Sequence, residues 1–427
     1  MTMMMLKRWM TLLCSVAMLA ACGGDDGNGG GDEPDPEPTP TPTPTPNPEP
    51  TPAPEYFSND FMRGGTMSFA NFLTDHGLKY REGGVEKNPY LSMKEHGANI
   101  VRLQLNLEAF PTYSGKVIDW ADWTRVVEDA KMCKANGLDV LLTLKPDADN
   151  YTTNGTNHNL LPAAWSGLSE QEIGDKLYAW AYDALEKLAK EGIYPRAVAV
   201  GNEVNVGFLK PSASAASDGA RTGRLLKRGF EAVRAYAAKY NPNVQSILHI
   251  ANPAKVVSYT NQITEAGASD FDLIGVSWYP GYDHSMGGFA DFVQFAARIK
   301  ENYNARLLIL ETAASFTTGT VGGQWRGDNC SNAYNWPKWA SDEENTANYT
   351  PKKQREWLGA LAQEVKRAGG AGVITWGTES LPDNQNAGFY TYPAAWANGS
   401  TWENNSYWDF TNQNNLHEGI DWMLDVK

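Results

Sequence analysis

A (β/α)8 barrel, an α/β fold, is the architecture this sequence predicts, and three observations predict it. Eight short apolar runs recur along the chain with segments of helical periodicity between them, the pattern of a parallel sheet closed on itself. Two of those runs end in a glutamate, Glu203 and Glu311, and such barrels keep their chemistry at strand C-termini. A doubly wound open sheet fits the alternation too, but no glycine-rich phosphate loop follows an early run, which disfavours a nucleotide-binding version.

The N-terminus reads as an address. Lys7 and Arg8 precede an apolar stretch from Thr11 to Ala21 that is too short to span a bilayer. It closes in Leu19-Ala20-Ala21-Cys22, small residues before a cysteine that resemble a bacterial lipobox. The expectation is a lipoprotein signal peptide over 1–21 and lipidation of Cys22, with a secretory peptide cleaved elsewhere as the alternative. Asp25 and Asp26 resemble the surface-export signal of Bacteroidetes lipoproteins. The expected location is the bacterial cell envelope, lipid-anchored and exposed on the outer membrane. Residues 22–54 are Gly/Asp-rich and then a Thr-Pro repeat. Proline at alternate positions removes backbone donors and favours polyproline II, so this segment is expected to be a disordered stalk.

Residues 55–427, about 370 in all, suit one large domain with inserted loops. Apolar runs bounded by turn signals read as strands buried on both faces. They fall at Met62–Phe69, Asn99–Leu105, Asp139–Lys145, Ala197–Glu203, Gln245–Ala251, Leu273–Tyr279, Arg306–Thr312 and Gly372–Gly377. Helical periodicity predicts Val85–His96, Trp123–Asn136, Glu170–Lys190, Gly219–Tyr240, Met286–Asn302 and Lys352–Ala368. Gly97, Gly137 and Gly192 sit where left-handed caps close helices.

The net charge of −14 argues against nucleic acid and anionic membranes as partners, and leaves a neutral glycan unaffected. Fifteen tryptophans and nineteen tyrosines offer flat faces for sugar rings. With Cys14 and Cys22 in the signal, Cys133 and Cys330 are expected to be free thiols. A monomer is expected.

Desolvating a carboxylate inside an apolar strand costs several kcal/mol, so Glu203 and Glu311 should sit where their strands open into a cleft. Counted along the chain they end strands 4 and 7, across the barrel mouth from one another. Two carboxyls so placed suit glycosidic bond cleavage, with Glu203 as general acid and base and Glu311 as nucleophile. Two structural carboxylates tied to an arginine or an amide are the alternative. Asn202 is placed to hydrogen-bond a sugar 2-hydroxyl. Arg102, a charge in an apolar strand, needs a carboxylate partner, and Glu311 is the candidate; a bridge elsewhere in the barrel is the other. Tyr279 and Trp278 end strand 6 and Trp376 ends strand 8, as substrate contacts or as packing.

These residues and their flanks resemble glycoside hydrolase family 53, the endo-β-1,4-galactanases (arabinogalactan endo-galactosidases). The likeness runs through Arg63-Gly64-Gly65, Gly83-Gly84, His96-Gly97-Ala98-Asn99-Ile100-Val101-Arg102-Leu103, Leu161-Pro162-Ala163-Ala164-Trp165 and Val200-Gly201-Asn202-Glu203-Val204-Asn205. It continues in Gly275-Val276-Ser277-Trp278-Tyr279-Pro280, Leu310-Glu311-Thr312-Ala313 and Thr401-Trp402-Glu403-Asn404-Asn405. The resemblance implies Glu203 as acid/base, Glu311 as nucleophile, and β-1,4-galactan of pectic side chains as the polysaccharide substrate. It implies no required cofactor. Some members hold calcium after strand 7, where Asp328 and Asn329 are the hard-oxygen candidates, although no spaced carboxylate cluster accompanies them.

The chain also departs from the family. After strand 3 the family carries Asp-Phe-His-Tyr-Ser-Asp, whereas this chain reads Thr143-Leu144-Lys145-Pro146-Asp147. After strand 8 the family has Trp-Glu-Pro, and here Trp376-Gly377-Thr378-Glu379 stands. The long loop after strand 7 holds Trp325, Cys330, Trp336 and Trp339. Two further readings therefore stay open: an endo-glycanase of the same fold acting on another plant β-glycan, and a surface glycan-binding protein that has lost turnover.

Overall fold

The eight apolar runs are the strands of a closed barrel: β1 (Met62–Thr66), β2 (Ile100–Asn106), β3 (Asp139–Lys145), β4 (Ala197–Val200), β5 (Gln245–Ala251), β6 (Leu273–Ser277), β7 (Arg306–Glu311) and β8 (Gly372–Thr375). Each pairs in parallel with its neighbours in chain order, and β1 pairs with both β2 and β8. The computed structural model describes residues 60–108, 119–152, 155–279, 285–286, 288–317, 349–382 and 403–426.

Strand alternation sorts the apolar residues into two cores. Ile100, Leu141, Ala197, Ile247, Leu273 and Leu308 pack inside the barrel, filling it as layered side chains do. Val101, Leu142, Val198, Leu248, Ile274 and Ile309 face outward against the helices. Closure at β1 depends on Gly64, where a Cβ would stand 1.9 Å from the Ile100 carbonyl oxygen of β2.

The helices are α1 (Ala70–Asp75), α2 (Pro89–Glu95), α3 (Trp123–Ala135), α4 (Glu170–Lys190), α5 (Gly219–Tyr240), α6 (Pro253–Glu265), α7 (Asp291–Tyr303), α8 (Pro351–Arg367) and the short α9 (Trp422–Asp425). Local chemistry starts several of them. Ser169 and Glu172 form a reciprocal capping box on α4. Thr350 caps α8 with Pro351 in its first turn.

Three sequence expectations change. The helix expected over Val85–His96 is α2 and begins at Pro89, because Val85–Glu86 pairs with Arg81–Glu82 as a hairpin turning on Gly83 and Gly84, both at positive φ. Helix α6 is an addition to the expected helices, as are the short α1 and α9; the β-branched composition of α6 hides helical periodicity, although Asn252 followed by Pro253 is a start signal, and Asn252 does cap Ala254 N. Strand β4 ends at Val200, so Glu203 stands on a turn beyond the sheet. Cys133 is a buried free thiol. Cys22, residues 22–54 and the loop residues Trp325, Asp328, Asn329, Cys330, Trp336 and Trp339 lie outside the described residues. Among the described residues no helix is long and apolar enough to cross a membrane.

Candidate active site

Two local irregularities aim the glutamates. After β4 the chain turns through Gly201 (φ 82°) and Glu203 (φ 48°). A side chain at Gly201 would meet Val204 and Phe208 within 2.8 Å. A non-glycine residue in the left-handed region costs roughly 1–2 kcal/mol, sustained only where its surroundings hold it. Here the Glu203 amide donates to His249 Nδ1 at 3.2 Å and its carbonyl accepts from Val206 at 2.9 Å.

On β7 the device is a bulge. Val276 pairs with Ile309 and Ser277 pairs with Glu311, so Leu310 is the extra residue between them. Leu310 packs in the inner core, and strict alternation would turn Glu311 outward. The extra residue re-aims it inward instead.

Arg102 ties the mouth together from β2. Its side chain is fully buried, and its Nη1 donates to Glu311 Oε1 at 2.5 Å. Its Nη2 donates to Asn202 Oδ1 at 2.6 Å and its Nε to Thr143 Oγ1 at 3.0 Å. The Tyr279 hydroxyl donates to the other Glu311 oxygen, Oε2, at 3.1 Å. Trp376 is half-buried, with the guanidinium carbon 5.5 Å from its ring centre. The Arg102–Glu311 pairing expected from the sequence is therefore present.

Glu203 has the opposite environment. Burial, and then the charge of Glu311, push its pKa up to about 7, opposed by a hydrogen bond from Ser277 and by Arg102. A carboxyl oxygen of Glu203, one of Glu311 and a ring nitrogen of His249 lie within 4.8 Å of one another. That trio could suggest a metal site. However, the lone pair of His249 Nδ1 faces the Glu203 amide, Nε2 contacts Ser277 Oγ at 2.8 Å, and Glu311 already carries an arginine. These donors do not fit a metal ion.

Of the predicted site residues, Glu203, Glu311, Arg102, Asn202, Tyr279 and Trp376 converge on the mouth. Trp278 does not, which corrects its expected substrate contact. It is fully buried on the outer side of the sheet, stacked on Trp357 of α8 (5.7 Å, 11°) and edge-on to Phe292 of α7 (5.2 Å, 76°). Alternation separates it from its inward neighbour Ser277. Sequence reasoning missed His249, Ser277 and Thr143. A histidine inside the apolar run Ile247-Leu248-His249-Ile250 was the available signal.

Comparison with known proteins agrees with this geometry. A family model, Glycosyl hydrolase family 53, matches residues 62–422. The arabinogalactan endo-beta-1,4-galactanase of Cellvibrio japonicus is 29% identical over 360 residues, covering 83% of this chain and 88% of that protein. The endo-beta-1,4-galactanase of Bacillus subtilis is 25% identical over 270 residues, covering 62% of this chain and 59% of that protein. The GH53 catalytic domain of Ignisphaera aggregans superposes with a TM-score of 0.69 at 26% identity, covering 88% of this chain and 98% of that domain. A barrel with this site is matched by this family over most of its length: the chain is a glycoside hydrolase and belongs to glycosyl hydrolase family 53.

Proposed function

We propose that this enzyme is a retaining endo-β-1,4-galactanase acting on the galactan side chains of pectin or arabinogalactan. The observation that carries the mechanism is the asymmetry of two carboxyls within 4.8 Å: Glu311 bonded to a guanidinium, Glu203 pushed up to about 7. Retaining glycosidases hold their carboxyls about 5–5.5 Å apart, inverting ones about 6.5–9.5 Å. Support for the substrate comes from the galactanase activity named for the relatives.

In the first half-reaction a Glu311 oxygen attacks the anomeric carbon while the glycosidic C–O bond breaks, and Glu203 gives its proton to the leaving oxygen. In the second, Glu203 takes a proton from water, whose oxygen displaces Glu311 and regenerates the sugar hydroxyl. Arg102 and Tyr279 hold the two Glu311 oxygens. Because Arg102 fixes the oxygen of Asn202, the amide NH2 is the edge left to meet the sugar 2-hydroxyl.

The test is product release from unbranched β-1,4-galactan by the wild type beside Glu203→Gln and Glu311→Gln, with the product anomer followed by proton NMR. Galacto-oligosaccharides released first as the β-anomer, and lost in both variants, are expected. An α-anomer would overturn the retaining mechanism, and no product would overturn the substrate. One observation favours a second substrate, another plant β-glycan. Lys145, buried at the end of β3 in register with Asn106, places a cation where the family carries histidine.

We propose further that Cys22 is the lipid attachment site and that the enzyme is a monomer held on the outer membrane surface. Labelled palmitate incorporated by the wild type and not by Cys22→Ala tests the anchor.

A further inference from the structure

We propose that His249 and Ser277 are positioning residues forming a closed relay, which runs from the backbone amide of Glu203 back to its own carboxyl. The inference rests on the acid/base reading of Glu203 and concerns what holds that group to its task.

The direction of every hydrogen in the relay is forced. The Glu203 amide can only donate, so His249 Nδ1, 3.2 Å away, accepts and carries no proton. The ring is neutral, since burial and then the nearby Arg102 hold its pKa well below the ordinary value. A neutral ring bare at Nδ1 carries its hydrogen on Nε2, which donates to Ser277 Oγ at 2.8 Å. With that oxygen already accepting, the single Ser277 hydrogen is left free to turn toward the Glu203 carboxyl, whose charged form Ser277 favours.

Three elements supply the relay: the turn after β4, β5 and β6. All three lie side by side in the barrel. His249 and Ser277 are fully buried, and the same amide contact holds Glu203 at its positive φ. A bystander histidine satisfied in the core would not have its acceptor on the backbone, and its donor relayed to the side chain, of one catalytic residue.

The relay favours the charged form of Glu203, because Ser277 donates to it. The other charged and titratable groups around this carboxyl are Glu311 on β7, Arg102 on β2 and Tyr279 after β6. Ser277 therefore opposes the upward push from burial and Glu311, and helps Glu203 act as a base in the second half-reaction as well as an acid in the first.

The test compares the full-length wild type with Ser277→Ala, Ser277→Thr and His249→Asn, on β-1,4-galactan and on nitrophenyl β-galactobioside across pH. In Ser277→Ala the alkaline limb of kcat/KM is expected to move up by about half to one pH unit. Galactan hydrolysis should slow about tenfold and the activated nitrophenyl substrate less than about threefold, since its leaving group departs without a proton. Ser277→Thr keeps the hydroxyl and should restore the limb. His249→Asn keeps an acceptor near the amide and leaves the Ser277 hydroxyl in place but no longer oriented, and should move the limb in the same direction by less than Ser277→Ala does. An unmoved limb, with both substrates slowed equally in Ser277→Ala, would overturn the relay and leave packing as the role of the pair. Full activity in Glu203→Gln would instead overturn the acid/base reading beneath it.

Discussion

Glu203 and Glu379 stand at the same end of the same barrel, and the pKa of each is pushed up to about 7, chiefly by burial. Only one of them is placed to do chemistry. Glu203 is half-buried at the mouth, with a carboxyl oxygen of Glu311 within 4.8 Å. Glu379 is fully enclosed. It accepts the Phe69 amide and the Thr66 hydroxyl, both at 3.1 Å, and pins the segment leaving β1. A raised carboxyl therefore marks burial before it marks catalysis. What separates the two is access and a second carboxyl across the cleft.

The largest expected effects test that separation directly. With Glu311 as the proposed nucleophile, Glu311→Ala should lower galactan turnover by about ten-thousandfold or more. Glu203→Gln should lower it by roughly a hundred- to ten-thousandfold. Glu379→Gln should change kcat by less than about threefold, and a loss as deep as that of Glu203→Gln would put Glu379 into the reaction and collapse the comparison. Initial rates on galactan decide all three.

Trp278→Ala comes next, and acts on stability. Emptying a stacked, wholly buried indole costs about 3–5 kcal/mol, read by urea unfolding, while KM on galactan stays near the wild-type value. A large rise in KM without loss of stability would return Trp278 to the substrate.

A smaller effect follows from linkage. A glutamate whose pKa is higher folded than unfolded binds its proton more tightly in the folded state. Its contribution to stability then falls as pH rises from about 4.5 to about 7, and is level above that. Glu203→Gln and Glu379→Gln should each remove part of this slope. The expected gain relative to wild type is on the order of 1–3 kcal/mol at pH 8, shrinking toward pH 4. Melting temperatures across pH measure it, and a gain that grew toward acid would reverse the assigned direction. On the proposed mechanism the same proton sets the activity profile, since Glu203 must be protonated to act as general acid. Activity should fall as pH rises through about 7 in the free enzyme, read as kcat/KM and belonging to the coupled pair of carboxyls.

The smallest effect belongs to Trp376. Its ring faces a guanidinium that Glu311 and Asn202 already hold, and such a contact is worth about 0.5–2 kcal/mol. Trp376→Phe should raise KM several-fold with little change in kcat, and an unchanged KM would make the ring packing alone.

The strands of the barrel are legible in the amino-acid sequence. Runs such as Val140-Leu141-Leu142 and Leu307-Leu308-Ile309-Leu310 are strands because both of their faces are buried, a property written into neighbouring residues. Arg102 is legible for a related reason: a lone charge in such a run must have a partner, and Glu311 is the carboxylate at hand. The hairpin of Arg81–Glu82 and Val85–Glu86 is not, because the apolar spacing continues into α2 and masks the glycine turn. Helix α6 escapes for another reason, since its β-branched residues weaken the helical signal.

The sequence by itself determined the order of strands and helices, the two glutamates and the arginine that one of them needs, because burial on two faces and the cost of an unpaired charge are local properties. Only the tertiary structure decided which way the site residues point. The unpaired Leu310 turns Glu311 inward, alternation on β6 sends Trp278 to the core, and the register of β4, β5 and β6 closes His249 and Ser277 onto Glu203. Register is settled between strands distant in the chain, so no single stretch of residues contains it.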